Sequence, residues 1–333
     1  MKNTWRQQLA QAATSPAALV EQLQLDTSIL EAAEQANRIF RQKAPANFIR
    51  KISPGDPRDP LLLQILPHAR ELISQPGYEH DPVGDLNALK APGVLQKYQG
   101  RVLLIVTGAC AIHCRYCFRR HYPYADASST GTELPAALDY IRSDTSIHEV
   151  ILSGGDPLML SDEKLSNLIE ALNGIAHLKR LRIHSRMPVV LPDRITDAFI
   201  ATLQDSPLTC SVVIHANHAR EIGEQERQAL YRLRTAGIVL LNQAVLLRGV
   251  NDSRNALAEL SETLFEAGVL PYYLHLLDPV DGAAHFDVDL QTGVKLIKEL
   301  RRILPGYLVP QLVKEQPGEP HKTPAADLFR RLC

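Results

Sequence analysis

Cys110, Cys114 and Cys117 stand in the run GACAIHCRYCF, directly after the apolar stretch Val102 to Val106. A C-x3-C-x2-C loop is tight, and its three thiolates can hold three corners of a cubane iron–sulfur cluster. Such clusters normally take four cysteines. No fourth lies nearby in the chain, so one iron would stay open to a substrate or cofactor. Two plainer readings compete: a zinc ion with His113 or His121 as the remaining ligand, or reduced thiols that merely pack. Zinc sites more often use two separated C-x2-C pairs. The cluster is the stronger expectation.

Three further groups carry chemistry. Ser153-Gly154-Gly155-Asp156 precedes Pro157; glycines let a main chain approach a ligand closely, and Asp156 could hold an ammonium. Taken alone this is an ordinary turn, but its place after a strand, downstream of the cysteines, favours a ligand contact. His215, Asn217 and His218 match no recognised carboxylate–histidine metal spacing. A polar contact to a cofactor is expected there, with a satisfied buried imidazole as the alternative. Lys322 lies in the Pro-rich run EQPGEPHKTP. Such a lysine is ordinarily solvated. If the tail folds over a barrel mouth, it becomes a candidate for a Schiff base with pyridoxal phosphate (PLP), whose chemistry needs one.

The elements that would position these groups alternate from residue 101 onward. Apolar, β-branched runs recur at 102–107, 149–152, 181–184, 210–215, 239–247 and 272–277. Helical patterns fall between them at 134–142, 162–173, 197–203, 224–235 and 254–266, and 288–303 follows the last. Six β/α units predict an α/β fold with a parallel sheet, either a partial barrel or open and doubly wound. Nearly every cluster sits at the C-terminal end of a strand, with Asn242-Gln243 in the fifth and Asp278 closing the sixth. Barrel enzymes build their sites there, which favours a partial TIM-like (β/α)6 barrel. Residues 1–95 read as a helical extension, 96–305 as the barrel, and 306–333 as a tail carrying Lys322. In the extension, Ser15-Pro16 predicts a capped start to the helix 17–25, with further helices over 28–42 and 60–74.

Composition narrows the class. The chain has 333 residues, and 36 Lys+Arg nearly balance 37 Asp+Glu, so nothing calls for nucleic acid or a membrane surface. Five cysteines, three in one loop, suit a reducing compartment better than a disulfide framework. Cys210 and Cys333 carry no expected role. The start MKNTWRQQLAQAATSP is too polar for a signal peptide, and no uncharged run reaches membrane-spanning length. A cytoplasmic protein is expected.

With these residues assembled, the chain resembles the lysine 2,3-aminomutases, radical S-adenosylmethionine (SAM) enzymes that also use PLP. The likeness spans about Gly77 to Thr323 and includes GVLQKYQGRVLL, the cysteine loop followed by Phe118-Arg119-Arg120, and VILSGGDPL. It continues through RMPVVLPDRIT, NQAVLLRGVND, YYLHLLDPVDGAAHF and HKTP. The closest resemblance is to the shorter branch, whose β-lysine is attached to elongation factor P by a lysyl-ligase. It implies a [4Fe–4S] cluster on Cys110, Cys114 and Cys117, with SAM on the open iron and against Ser153 to Asp156. It implies PLP on Lys322, its phosphate at Lys97, Tyr98 and Arg101, and His215 and Gln243 lining the cofactor site. Arg119 would receive the carboxylate of free L-lysine, and Asp278 and Glu315 its distal ammonium. An electron donor such as flavodoxin or ferredoxin is implied as well.

Two departures stand out. The lysine-fermenting enzyme carries aspartate where this chain has Glu315. The chain also ends eleven residues after Lys322, so the family's C-terminal zinc and subunit-contact segment is not expected and the oligomeric state stays open. The rivals are the same chemistry on arginine or ornithine, and a non-catalytic iron–sulfur sensor.

Overall fold

A computed structural model describes residues 4–124 and 133–332. Cys333 lies outside them. Ten strands form one mixed sheet whose spatial order follows the chain. They are β1 (Leu89–Ala91), β2 (Val94–Tyr98), β3 (Arg101–Ile105), β4 (Glu149–Ser153) and β5 (Arg180–Ser185). Then come β6 (Thr209–Ile214), β7 (Val239–Val245), β8 (Leu270–His275), β9 (Gln311–Lys314) and β10 (Thr323–Pro324). Neighbours from β3 to β9 run parallel, whereas β1, β2 and β10 add antiparallel edges. The first and last strands do not pair, so the sheet is a partial, open barrel.

Side-chain alternation explains why these strands are not uniformly apolar. On β5, Leu181 and Ile183 are buried while Arg182 and His184 line a central cavity. On β7, Leu240 and Asn242 are buried and Gln243 and Val245 line the same cavity. A period of two sends one set outward to the helices and the other inward. The helices offer matching faces. Asp162–Asn173 buries Leu165, Leu168, Ile169 and Leu172 at helical spacing and is capped by Ser161. Glu224–Thr235 and Arg254–Glu266 bury matching stripes, the second capped by Ser253.

The structure departs from the sequence expectation in three places. The sheet begins at Leu89, inside the segment expected to be helical, and the tail contributes β9 as a seventh parallel strand. Both strands are short, so their alternation is weak in sequence. The helix expected over 60–74 is two pieces, Pro60–Leu63 and Ala69–Leu72. Pro67 disfavours helical backbone at Leu66, and His68 caps a new turn by accepting from Arg70 N at 3.0 Å. Ser15 caps Pro16–Gln22 as expected. Among the described residues no helix is long and apolar enough to cross a membrane.

Candidate active site

The three cysteines, Ser153 to Asp156, Lys97, Tyr98, Arg101, Arg119, His215, Asn217, Gln243, Asp278, Glu315 and Lys322 line one cavity of about 520 Å³, open at the C-terminal ends of the strands and reaching into the barrel; His218 and Asn242 do not. This is the size range of small-molecule sites. Around it the roles divide.

The cysteine loop leaves β3 and is held by the N-terminal extension. Lys43 donates to Cys110 O at 2.9 Å, His113 N to Lys43 O at 2.9 Å, and Arg115 N to Gln64 O at 2.9 Å. Buried Glu71 accepts from Arg115 and from Arg120, at 2.5 and 2.8 Å. The extension is thus the clamp on the cysteines. All three are free thiols, and Arg186 donates to Cys114 Sγ. Burial and the neighbouring sulfurs push Cys110 well up, and burial pushes Cys117 up to about 11. Thiols in that state need a bound cation to ionise.

The spread of the sulfurs bears on which cation. One tetrahedral zinc would draw its thiolates to about 3.8 Å apart. Among the described residues, the only set of three ligand atoms within 4.8 Å of one another excludes these cysteines. Nor are the histidines disposed to complete a zinc site here. His113 bonds Arg41 O at 2.7 Å, and His121 stacks on His80 with centroids 4.2 Å apart. A larger cluster fits the three sulfurs better.

Gly154 and Gly155 press against the root of that loop. Gly155 N donates to Thr107 O at 2.7 Å and Asp156 N to Ala109 O at 2.8 Å. A Cβ at Gly154, where φ is +124°, would lie 2.5 Å from Thr107 O, and one at Gly155 would collide with Ala109 O. The glycines thus join two strand ends closely. Asp156 does not present a free carboxylate for an ammonium, as the sequence suggested. Its oxygens accept from Leu158 N, Ser185 Oγ, Arg186 N and Met187 N at 2.7–3.2 Å. Burial raises its pKa against those bonds. It ties β4 to β5, and any ligand at this corner meets main chain.

The charged residues form a chain. Arg119 donates to Asp85 at 2.7 Å and to Ser153 at 3.3 Å. Asp85 also pairs with Lys97 at 2.5 Å. Lys97 reaches Glu315 at 2.8 Å, and the other oxygen of Glu315 accepts from Lys322. Burial opposes ionisation of Glu315, but Lys322 and Lys97 hold its carboxyl below the usual range. Lys97 therefore faces carboxylates, away from the grouping expected for it. Tyr98 and Arg101 stay together, the guanidinium 4.7 Å from the ring centroid. Arg182, on β5, lines the same wall.

Asp278 is the exception to this pairing. Its Oδ1 is buried and has no hydrogen-bond partner. Burial first, and then the charge of Glu315, push it up to about 7. An orphaned acid in a cavity calls for a cationic ligand. Burial pushes His184, His215 and His275, in the same cavity, toward their neutral form. Burial takes His184 and His275 well below the ordinary value and His215 down to about 3. His215 pairs with Gln243 at 2.9 Å, whereas Nε2 of His184 and of His275 is unpartnered. Of the other expected residues, Asn217 is a structural latch bonded to Tyr116, Gln64 and Val245 N. His218 caps a turn at Arg220 N.

Sequence reasoning missed Asp85, His184, His275 and Glu71. Asp85 and Glu71 lie in a loop and a single turn where no periodicity marks an inward side chain. His184 and His275 could have been found, since each sits at an inward alternate position of its strand.

Known proteins resemble this chain along its length. A model of the radical SAM superfamily matches residues 104–260. The L-lysine 2,3-aminomutase of Escherichia coli (strain K12) is 46% identical over 324 residues, 97% of this chain and 94% of that protein. That of Haemophilus influenzae is 44% identical over 97% of this chain and 95% of its own. That of Clostridium subterminale is 36% identical over 97% of this chain and 77% of its own. By this likeness along nearly its whole length, the chain belongs to the L-lysine 2,3-aminomutase family of radical SAM isomerases.

Proposed function

We propose that the protein converts free L-α-lysine to β-lysine, moving the amino group from the α- to the β-carbon. The observation that carries this reading is Asp278. Its Oδ1 is buried without a partner in the cavity that also holds the three cysteines and Lys322. A lysine ammonium is the partner such an acid lacks. Family membership adds the cofactors: a [4Fe–4S] cluster, SAM and PLP.

When bound, the cluster and SAM supply hydrogen-atom abstraction, and PLP supplies delocalisation that lets nitrogen migrate. Cys110, Cys114 and Cys117 would hold the cluster, and the main chain of Ser153 to Asp156 would face SAM. Lys322 would anchor PLP, with His215 and Gln243 against the cofactors. Tyr98 and Arg101 would take its phosphate, joined by Arg182; a guanidinium and a phenol suit that anion. Lys97 acts one step back, orienting Glu315. Arg119 would accept the substrate carboxylate, which must compete with Asp85 for it. Asp278 would hold the distal ammonium. Glu315, engaged by two lysines, would tether Lys322 until a ligand claims that amine. Fixing both ends of lysine brings its reacting carbons to one place and excludes other geometries.

Borohydride reduction of the holoenzyme is expected to trap the pyridoxyl group on Lys322. Lys322→Ala should lose both the trapped label and the visible cofactor band while keeping its iron. Peptide mapping of the label to Lys295, Lys298 or Lys314 would refute the assignment.

The product's fate is the finer part of the proposal: β-lysine for attachment to elongation factor P by a lysyl-ligase. Greater identity to the Escherichia coli relative than to the clostridial one supports that branch. Because Arg119 needs a free carboxylate, the substrate should be the amino acid and not a lysyl group already on protein. Feeding labelled lysine or lysyl-modified factor separates the two. Conversion of the protein-attached group alone would overturn the reading.

A further inference from the structure

Three loops that each supply a residue to the cavity also meet outside it. The loop bearing Asp85 carries His80, the cysteine loop carries His121 just beyond Arg119, and the loop bearing Asp278 carries Asp281. One ligand atom of each of the three lies within 4.8 Å of the other two, the only such set of three among the described residues. His80 Nε2 and Asp281 Oδ2 are 3.9 Å apart. The two imidazoles stack 19° from parallel at 4.2 Å.

Backbone contacts hold this meeting point. Glu79 N donates to Pro279 O at 2.8 Å, and Asp281 N returns a bond to Glu79 O at 3.0 Å. Arg120 donates to Gly282 O at 3.1 Å, and His121 Nε2 lies 3.2 Å from Asp281 O. Main-chain bonds thus bring the three loops together, and the stacked rings of His80 and His121 add a side-chain contact. The separation of His80 and Asp281 is too long for a hydrogen bond. It is close to the spacing of about 3.4 Å that two ligands adopt on one tetrahedral zinc. The His80 side chain is 72% exposed and can turn to close the difference.

We propose that His80, His121 and Asp281 form a divalent transition-metal site, with zinc the fitting ion. Two imidazoles and a carboxylate are its ordinary ligands, and a water completes four-coordination. The site differs from the cluster site in every residue. A bound ion would cross-link the loops bearing Asp85, Arg119 and Asp278, and so steady the wall of the substrate cavity.

The test uses the anaerobic holoenzyme, with its iron–sulfur cluster loaded so that the cysteines are occupied. It is incubated with zinc chloride alone, desalted, and assayed for zinc and iron by mass spectrometry. About one zinc per chain should be retained with iron unchanged, and the melting temperature should rise. His80→Ala and Asp281→Asn should each weaken zinc binding at least tenfold and remove the shift in melting temperature. His80 is at the surface, so its replacement tests the site without risking the fold. Equal zinc retention by the variants, zinc gained only with loss of iron, or no zinc retained by the unaltered protein would each overturn the proposal. None of these outcomes depends on turnover of lysine, so the site and the proposed activity fail separately.

Discussion

Cys114→Ala is expected to lose most of its cluster iron and all measurable aminomutase activity, and Cys110→Ala and Cys117→Ala should do the same. Each removes one of only three thiolates available to the cluster. Cys110 and Cys117 are thiols whose ionisation burial and neighbouring sulfurs oppose. Binding energy for a cluster must first ionise its ligands, so a two-cysteine loop loses the ion and the charge compensation together. The effect should be local. Lys43, Gln64 and Glu71 anchor the loop through main chain and through arginines, so the fold should survive the loss of a sulfur. Cys210 supplies the contrast: it is buried on β6 with its thiol directed to Leu208 O at 3.4 Å. Cys210→Ala should keep full iron, and so should Cys333→Ala. The measurements are iron and sulfide content, electron paramagnetic resonance of the reduced cluster, and β-lysine formation. Full cluster content after Cys114→Ala would sink the assignment.

Asp278→Asn carries the second large effect. Removing one partner of a buried charged pair costs about 3–5 kcal/mol, so kcat/KM for lysine should fall by about two to four orders of magnitude. The pH dependence is the sharper signature. Without a ligand this carboxyl is held up to about 7 by burial, with the charge of Glu315 adding to it. A lysine ammonium binds the ionised form. KM for lysine should therefore rise as pH falls through about 7 and level off above it, and the asparagine variant should lose that inflection. The same group makes a statement about stability. Its pKa is higher folded than unfolded, so the folded protein holds the extra proton. The stability it contributes is present below about pH 4 and is lost as pH rises through about 7. Asp278→Asn should thus lose activity while gaining some thermal stability at pH 8. An unchanged KM profile in the variant would remove Asp278 from the ammonium site.

Much of this protein could be read in its sequence because the determining interactions are local or periodic. Helices at 162–173, 224–235 and 254–266 follow from apolar spacing. The partial parallel barrel follows from strands and helices alternating with reactive residues at or near the strand ends. The cysteine spacing and the SGGDP, LDPVDG and HKTP runs brought the family into view. Charge partnership was not legible, because a pair such as Arg119 and Asp85 forms through the fold, 34 residues apart in the chain. Sequence presents Asp156, Asp278 and Glu315 as equivalent carboxylates beside a cavity. Tertiary structure makes one a knot of four backbone and hydroxyl bonds and another a bridge between two lysines. The third is left unpaired. The physical reason is desolvation: a buried carboxylate is set by the donors that happen to surround it, and those donors come from distant segments. The sequence alone determined which residues could do chemistry and the order in which strands would carry them. Only the packing of the N-terminal extension, the barrel and the tail decided which of those residues are spent on structure and which remain free to meet a ligand.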